Sequence, residues 1–212
     1  MRKIRIMLVD DHAVVRSGLR RMLEQSPGME VVAEAGSGEQ AYQLFSMHMP
    51  DVAVMDLSMR GMGGLESARR ILARHPGSRI LVFSMHENAA FATQALKAGV
   101  SGYVIKASAP DELLVAIQDV MCGKTYLSAS VAQNIAMEAL IGENGPIQQL
   151  SAREFEIFRL LVEGKSTEEI ATLLNISQKT VANHYTLIKQ KLGVTSSIEL
   201  IRLAMRYGII ER

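Results

Sequence analysis

Residues 6–12 read IMLVDDH: four apolar side chains, then two adjacent carboxylates, Asp10 and Asp11, just before the amphipathic segment AVVRSGLRRMLEQS (13–26). A run this apolar suits a buried strand. Two like charges at its end repel each other, and burying either without a partner is costly. Helix capping accounts for one Asp and leaves the other a solvated bystander. What else could pair with them has to come from further along the chain.

The same rhythm repeats. RIMLV (5–9), MEVVAEA (29–35), VAVMDL (52–57), RILVFS (79–84) and GYVIK (102–106) are short apolar runs, several nearly continuous in Val, Ile, Leu and Met. Such runs mark a parallel sheet covered on both faces. Between and after them stand GEQAYQLFSMH (38–48), GLESARRILARH (64–75), NAAFATQALKAG (88–99) and PDELLVAIQDVMCG (110–123), with apolar residues at helical spacing. Pro110 suits a first helical turn. Five βα units predict a doubly wound α/β domain with a five-stranded parallel sheet. Its chemistry belongs in the crevice beyond the carboxyl ends of the strands.

Those ends carry a pattern. The first strand ends at Asp10 and Asp11, the third at Asp56, the fourth at Ser84 and the fifth at Lys106. Each has a plain explanation alone, as a cap, a turn residue or a solvated lysine. Together they place three carboxylates, a hydroxyl and an ammonium on one rim. Hard oxygen ligands with no Cys or His cluster suit Mg²⁺. A metal beside an aspartate, with Lys106 to offset charge, supports phosphoryl transfer onto that aspartate. His12 and His86 are expected to border this pocket rather than act in it.

Composition bounds the rest. The chain has 212 residues, 48% of them apolar, enough for two small domains. Its formal charge is +1; residues 1–122 balance 13 basic against 13 acidic side chains, and residues 150–212 carry nine against seven. That surplus decides nothing until its placement is known. The single Cys122 excludes an intrachain disulfide, fits a reducing compartment and reads as buried filler. No signal-peptide pattern or membrane-length apolar run is present, so a cytoplasmic protein with no membrane partner is expected.

From 123 to 149 the alternation breaks, and GENGP (142–146) is a turn and linker signal. Beyond it the pattern is all-helical: SAREFEIFRLLVEG (151–164), STEEIATLLN (166–175), SQKTVANHYTLIKQKLG (177–193) and SSIELIRLAMRYG (196–208). Ser177 is a good N-cap. Ile170, Ala171 and Leu174 face Val181, Tyr185 and Ile188 across a short turn, which is helix-turn-helix spacing. Positions 177–191 hold Lys179, Lys189 and Lys191 and no acid, which puts the basic surplus where a major-groove helix needs it. A plain helical bundle or a dimerisation module also fits these residues.

Two resemblances narrow the choices. With VDDH, MDLSM, FSM and YVIK at the usual positions, residues 1–122 resemble a response-regulator receiver domain, a flavodoxin-like fold. The resemblance implies Asp56 as phosphoacceptor. It implies a Mg²⁺ site of Asp10, Asp11, Asp56 and the backbone carbonyl of Ser58, with Asp11 the more direct ligand than Asp10. Ser84 takes the place of the switch hydroxyl, Lys106 that of the phosphate-contacting lysine, and Tyr103 that of the reporting aromatic; a half-buried sheet-edge Tyr is the plain alternative. The family usually has Pro after MDL-x-M, whereas this chain has Arg60, so a looser loop with altered phosphorylation rates is expected.

Residues 150–200, with LS-x-RE, EG, EIA, L-x-IS-x-x-TV, H and KLGV in register, resemble the LuxR-type DNA-binding domain of NarL/FixJ regulators. The resemblance implies a structural role for Glu154, paired with a basic group inside the bundle. It puts Lys179, Thr180, Ala182, Asn183 and Thr186 on the outer face of the recognition helix and Lys189 against phosphates. Ala182, Thr186 and Ser197 are shorter or less basic than is common there. In the last helix Ile198, Ile201 and Leu203 are expected mostly to pack on the bundle, although in the family this helix supplies a dimer contact.

The expectation is a receiver domain at 1–122, a linker at 123–149 and a helix-turn-helix domain at 150–212. That makes a phosphorylation-controlled transcriptional regulator rather than an enzyme. Its partners would be a sensor histidine kinase as phosphodonor, double-stranded DNA and a second copy of itself. A phosphohydrolase on the same acidic rim would need a general acid–base group and a substrate cap, and neither is evident. A phosphorylation-responsive interaction module with weak or no specific DNA binding is the remaining alternative.

Overall fold

The first strand, β1 (Ile4–Val9), lies at the centre of the chain's one sheet among the described residues. The structure is a computed structural model, and it describes residues 2–108, 110–140 and 145–210. The chain divides into one compact unit of Met1–His86 with Ala95–Ala129 and another of Glu87–Gln94 with Ser130–Arg212.

In the first unit, β1, β2 (Met29–Ala35), β3 (Val52–Met55), β4 (Ile80–Ser84), β5 (Gly102–Ile105) and β6 (Tyr126–Leu127) form a parallel sheet in the order β2-β1-β3-β4-β5-β6. The helices α1 (Ala13–Gln25), α2 (Gly38–His48), α3 (Gly64–Arg74), α4 (Ala89–Lys97) and α5 (Pro110–Met121) follow successive strands. The inner strands are continuously buried, as double coverage requires: all four residues of β3 and of β5 lie inside. One core cluster joins Ile6 and Leu8 of β1, Val52 and Val54 of β3, Leu81 and Val104 to Leu113, Ala116, Ile117 and Val120 of α5. The α5 residues recur at helical spacing and define its inner stripe.

The sheet has six strands, not the five expected. Tyr126 donates its N–H to Ser101 O at 3.2 Å, Ser128 N–H reaches Tyr103 O at 2.9 Å, and Ser128 Oγ accepts Ile105 N–H at 3.1 Å. Two residues are too short to leave an alternation pattern, so this strand hid inside the expected linker. It turns β5 into an interior strand. Tyr103 is therefore fully buried rather than a half-buried edge residue. Cys122 corrects another expectation: it is exposed, because it follows the end of α5 and falls off the stripe that ends at Val120.

In the second unit, α6 (Ala129–Leu140) and a 3-10 turn (Pro146–Gln149) precede α7 (Ala152–Val162), α8 (Thr167–Leu174), α9 (Gln178–Leu192) and α10 (Ser197–Arg206). Ser151, Ser166 and Ser196 each close a capping box with a Glu three residues on, which accounts for sharp helix starts. The bundle core holds Phe155, Phe158, Ile170, Leu174, Val181, Ile188 and Leu200. On α10 the inner face is Leu200 and Ala204, so Ile198 and Ile201 are exposed instead of packed. Their three-residue spacing puts them on a different stripe from the buried pair. No helix among the described residues is long and apolar enough to cross a membrane.

Candidate functional site: an acidic rim and a helix-turn-helix

Sheet register builds the rim. Val9 of β1 pairs with Met55 of β3, so the next residues, Asp10 and Asp56, emerge level on neighbouring strands. Asp56 donates its N–H to Val9 O at 2.8 Å, and Asp10 donates to Ala35 O at 3.1 Å. Two strands away, Lys106 leaves β5 with its N–H on Ser84 O at 2.8 Å. Its ammonium spans the gap, 2.6 Å from Asp10 Oδ2 and 2.7 Å from Asp56 Oδ2. The two carboxylates are 2% and 3% exposed, so this lysine supplies charge compensation that water cannot. Burial alone would lower the Lys106 pKa, but the bonds to Asp10 and Asp56 outweigh it and hold the ammonium above its ordinary range.

Asp10, Asp11, His12 and Asp56 each offer a ligand atom within 4.8 Å of the others. Asp11 Oδ1 is buried without a hydrogen bond; His12 Nδ1 stands 2.9 Å away but out of hydrogen-bonding alignment. An acceptor oxygen buried without a donor, beside two further carboxylates, suits a hard divalent cation. His12 also lies 3.2 Å from Asp10 and donates its backbone N–H to Asp10 Oδ1 at 2.8 Å.

The expected neighbours converge. Ser58 N–H points to Asp56 Oδ1 at 3.2 Å. Ser84 is fully buried at the end of β4, and its Oγ accepts His86 N–H at 3.3 Å. Tyr103 donates its hydroxyl to His86 O at 2.8 Å. Burial, the largest influence, raises the Tyr103 phenol well above its ordinary range, so it remains a donor. His86 also meets Ser58 Oγ through Nε2 at 2.8 Å, which ties the ends of β3 and β4 together. Sequence reasoning left His12 and His86 at the border; the structure gives both direct contacts with site residues. Their position one or two residues past a strand-end polar group was the available signal.

In the second unit, three residues, 175–177, separate α8 from α9. Asn175 takes the left-handed conformation at φ 51°, and Ser177 Oγ accepts Thr180 N–H at 3.1 Å. Val181, Ile188 and Leu192 anchor α9 inward. That leaves Lys179, Ala182, Asn183 and Thr186 exposed, with Thr180 and Lys189 partly so. The Thr186 hydroxyl is spent on Ala182 O at 3.1 Å. Lys189 Nζ stands 5.5 Å from the Tyr185 ring centroid. Lys191 departs from the basic outer set: it turns to Glu154 Oε2 at 2.6 Å and supplies the basic partner expected for that residue.

Sequence and structure comparisons bear directly on this pair of sites. Residues 6–118 match the response regulator receiver domain, and residues 148–204 match the bacterial regulatory proteins of the luxR family. The chain belongs to the NarL/FixJ family of response regulators. It is a phosphorylation-controlled, DNA-binding transcriptional regulator. It is 40% identical over 208 residues to the transcriptional activator protein ExaE of Pseudomonas putida, covering 97% of each chain. Its identity to the response regulator UvrY of Escherichia coli K12 is 36% over 208 residues, covering 97% of this chain and 95% of UvrY. Among solved structures it resembles RcsB from Salmonella enterica serovar Typhimurium, bound to promoter rprA in the presence of phosphomimetic BeF3−. That match has a TM-score of 0.73 and 29% identity, and it covers 95% of this chain and 98% of RcsB.

Proposed function

We propose that Asp56 is the phosphoacceptor and that its phosphorylation governs DNA binding through α9. The observation that carries the first half is the position of Asp56, level with Asp10 and bonded to Lys106. In the step proposed, an Asp56 carboxylate oxygen attacks the phosphorus of the donor. The donor's bridging oxygen leaves with the bonding electron pair, as the kinase imidazole nitrogen does in the natural reaction. The product is an acyl phosphate on Asp56. Lys106 stays protonated and can move from the carboxylates to a phosphoryl oxygen, while Ser84 Oγ stands ready to donate to another.

Asp10, Asp11, Asp56 and the Ser58 carbonyl would hold Mg²⁺, Asp11 most directly because its Oδ1 lacks a hydrogen-bond donor. When bound, that ion offsets charge on the phosphoryl oxygens. Tyr103, buried beside Ser84 and His86, would couple the rim to the sheet face on which a partner surface can form.

For the second half, Lys179, Thr180, Ala182, Asn183, Thr186 and Lys189 are proposed to face double-stranded DNA. RcsB, a structural relative, is described bound to a promoter. The reading further assigns residues 1–122 to the receiver, 123–149 to a linker and 150–212 to the DNA-binding domain. It places the protein in the cytoplasm, with a sensor histidine kinase as donor and a homodimer as the DNA-bound form.

Acetyl phosphate with Mg²⁺ tests the chemistry. One phosphoryl mass should be added to the protein and none to Asp56→Asn. Labelling that persists in D56N, or that maps to Asp10 or Asp11, overturns the assignment.

A further inference from the structure

Arg60 stands in a loop, residues 57–63, with no proline to fix its backbone. The loop leaves Asp56 and carries Ser58, so its position sets both the acceptor and the proposed carbonyl ligand. One end is closed locally: Gly64 N–H reaches Leu57 O at 3.1 Å, and Gly64 lies so close to the Asp56 carbonyl that a side chain there would collide with it. The middle is held from another element. Glu39, in the first turn of α2, accepts Met62 N–H on Oε1 at 2.7 Å.

That contact is seated rather than incidental. Gly61 has φ +76°, and a Cβ on it would stand 2.9 Å from Glu39 Oε1 and 3.1 Å from Oε2. The carboxylate thus lies against bare backbone that only glycine leaves accessible in this conformation. Beside it, Gly38 abuts the Met62 carbonyl too closely for any side chain, and Gly38 O accepts Ser67 Oγ at 3.1 Å from α3. Glu39 is itself exposed, so burial does not compel it to find this partner.

The geometry points to Glu39 as a positioning residue for phosphorylation: its carboxylate clamps the loop beside Asp56 and does from outside what a proline would do from within. This rests on Asp56 as the phosphoacceptor. Glu39 touches neither the acceptor nor the donor. It acts by restricting residues 57–63 to the arrangement in which the Ser58 carbonyl and the Asp56 carboxylate face the rim, so its removal lowers the population ready to react.

Three variants of the full chain separate reach from charge. Glu39→Ala removes the acceptor. Glu39→Asp keeps the negative charge at the α2 N-terminus but shortens the side chain. Glu39→Gln loses the charge and keeps an acceptor oxygen at full length. The readouts are the rate of acyl-phosphate formation with acetyl phosphate and Mg²⁺, and hydrogen exchange of the Met62 amide. E39A and E39D should react about three- to tenfold more slowly, the scale of one lost charge-assisted hydrogen bond shared between loop order and rate. Both should lose Met62 protection, and E39Q should stay within about twofold of the parent in rate. Slow E39Q with unaffected E39D would mean that Glu39 acts through helix-terminal charge, and would overturn the clamp. So would unchanged rates in E39A, or a Met62 amide unprotected in the parent. Labelling that persists in Asp56→Asn would instead break the phosphoacceptor reading, whatever the Glu39 variants do.

Discussion

The acidic rim and the outer face of α9 solve opposite problems. Asp10, Asp56, Ser84 and Lys106 come from strand ends up to 96 residues apart, are mostly buried, and hold one another directly. Lys179, Ala182, Asn183 and Thr186 lie within one short stretch of a single helix and are exposed. At the rim each group's charge state and position depend on the others, because an unpaired charge there has no water to fall back on. On α9 the side chains remain solvated, so a partner must supply the order. Substitutions at the rim should therefore act as large, coupled losses, and those on α9 as smaller and more nearly independent ones.

The largest effect is expected at Asp11. Asp11→Ala deletes the carboxylate whose Oδ1 has no hydrogen-bond donor and leaves Asp10 and Asp56 bridged by Lys106. Mg²⁺ affinity should fall at least about tenfold to a hundredfold, a loss that removal of mere supporting residues can cause at metal sites. Titration followed by amide chemical shifts measures this and reports on the fold in the same spectra. Unchanged affinity would make Asp11 a surface charge and would remove half of the contrast with α9.

How much was legible follows the same division. Strand-end polar groups stood out because an apolar run stops abruptly at each of them, and parallel topology sends all such ends to one rim. Ser177, Val181 and Ile188 announced α9 by capping and periodicity. What stayed hidden depends on contacts distant in sequence. β6 is too short to have a period, and its presence decided the burial of Tyr103. Glu39 reads as an ordinary first-turn acid; only Gly61, brought alongside it by the fold, gives its carboxylate a second task. Lys191 looked like one more cation for DNA until Glu154 drew it inward. On α10, apolar residues occupy more than one stripe, and composition alone does not choose which faces the bundle.

Glu154 brings the rim's behaviour into the second unit. It closes the α7 capping box and pairs with Lys191, and it is nearly buried while that lysine is about one-third exposed. Burial would raise its pKa, but the bonds from Lys191 and Ser151 prevail and lower it. A depressed carboxylate stabilises the fold above its unfolded pKa, and the contribution is lost as pH falls through the folded value. Acid should thus weaken the C-terminal unit below the ordinary glutamate range. Glu154→Ala should cost about 1–3 kcal/mol at neutral pH, combining a lost cap with a partly screened ion pair. Urea unfolding followed by α7 and α9 amides tests both, and in E154A the acid sensitivity should shrink.

Next comes Asn183, the exposed amide midway along α9. A bidentate contact to adenine would make Asn183→Ala lose about 1–3 kcal/mol on a selected site and little on random duplex. Competition binding distinguishes the cases; equal losses on both duplexes would mean that the helix reads no base through Asn183.

The smallest effect is expected at Lys189, in the last turn of α9. Its ammonium stands against the Tyr185 ring, and Tyr185 in turn meets Ser197 Oγ at 3.1 Å. The charge is thereby held near the helix end, an arrangement suited to a phosphate rather than a base edge. Lys189→Ala should weaken specific and random duplexes alike and lower the magnitude of the slope of log K against log salt by about one, as expected when one fewer phosphate is neutralised. The measurement is a salt series on both duplexes. A loss confined to the selected site would turn Lys189 into a base reader and would show that α9, like the rim, depends on coupled geometry. An unchanged slope would place Lys189 outside the interface and leave Lys179 as the lysine on the helix's exposed face.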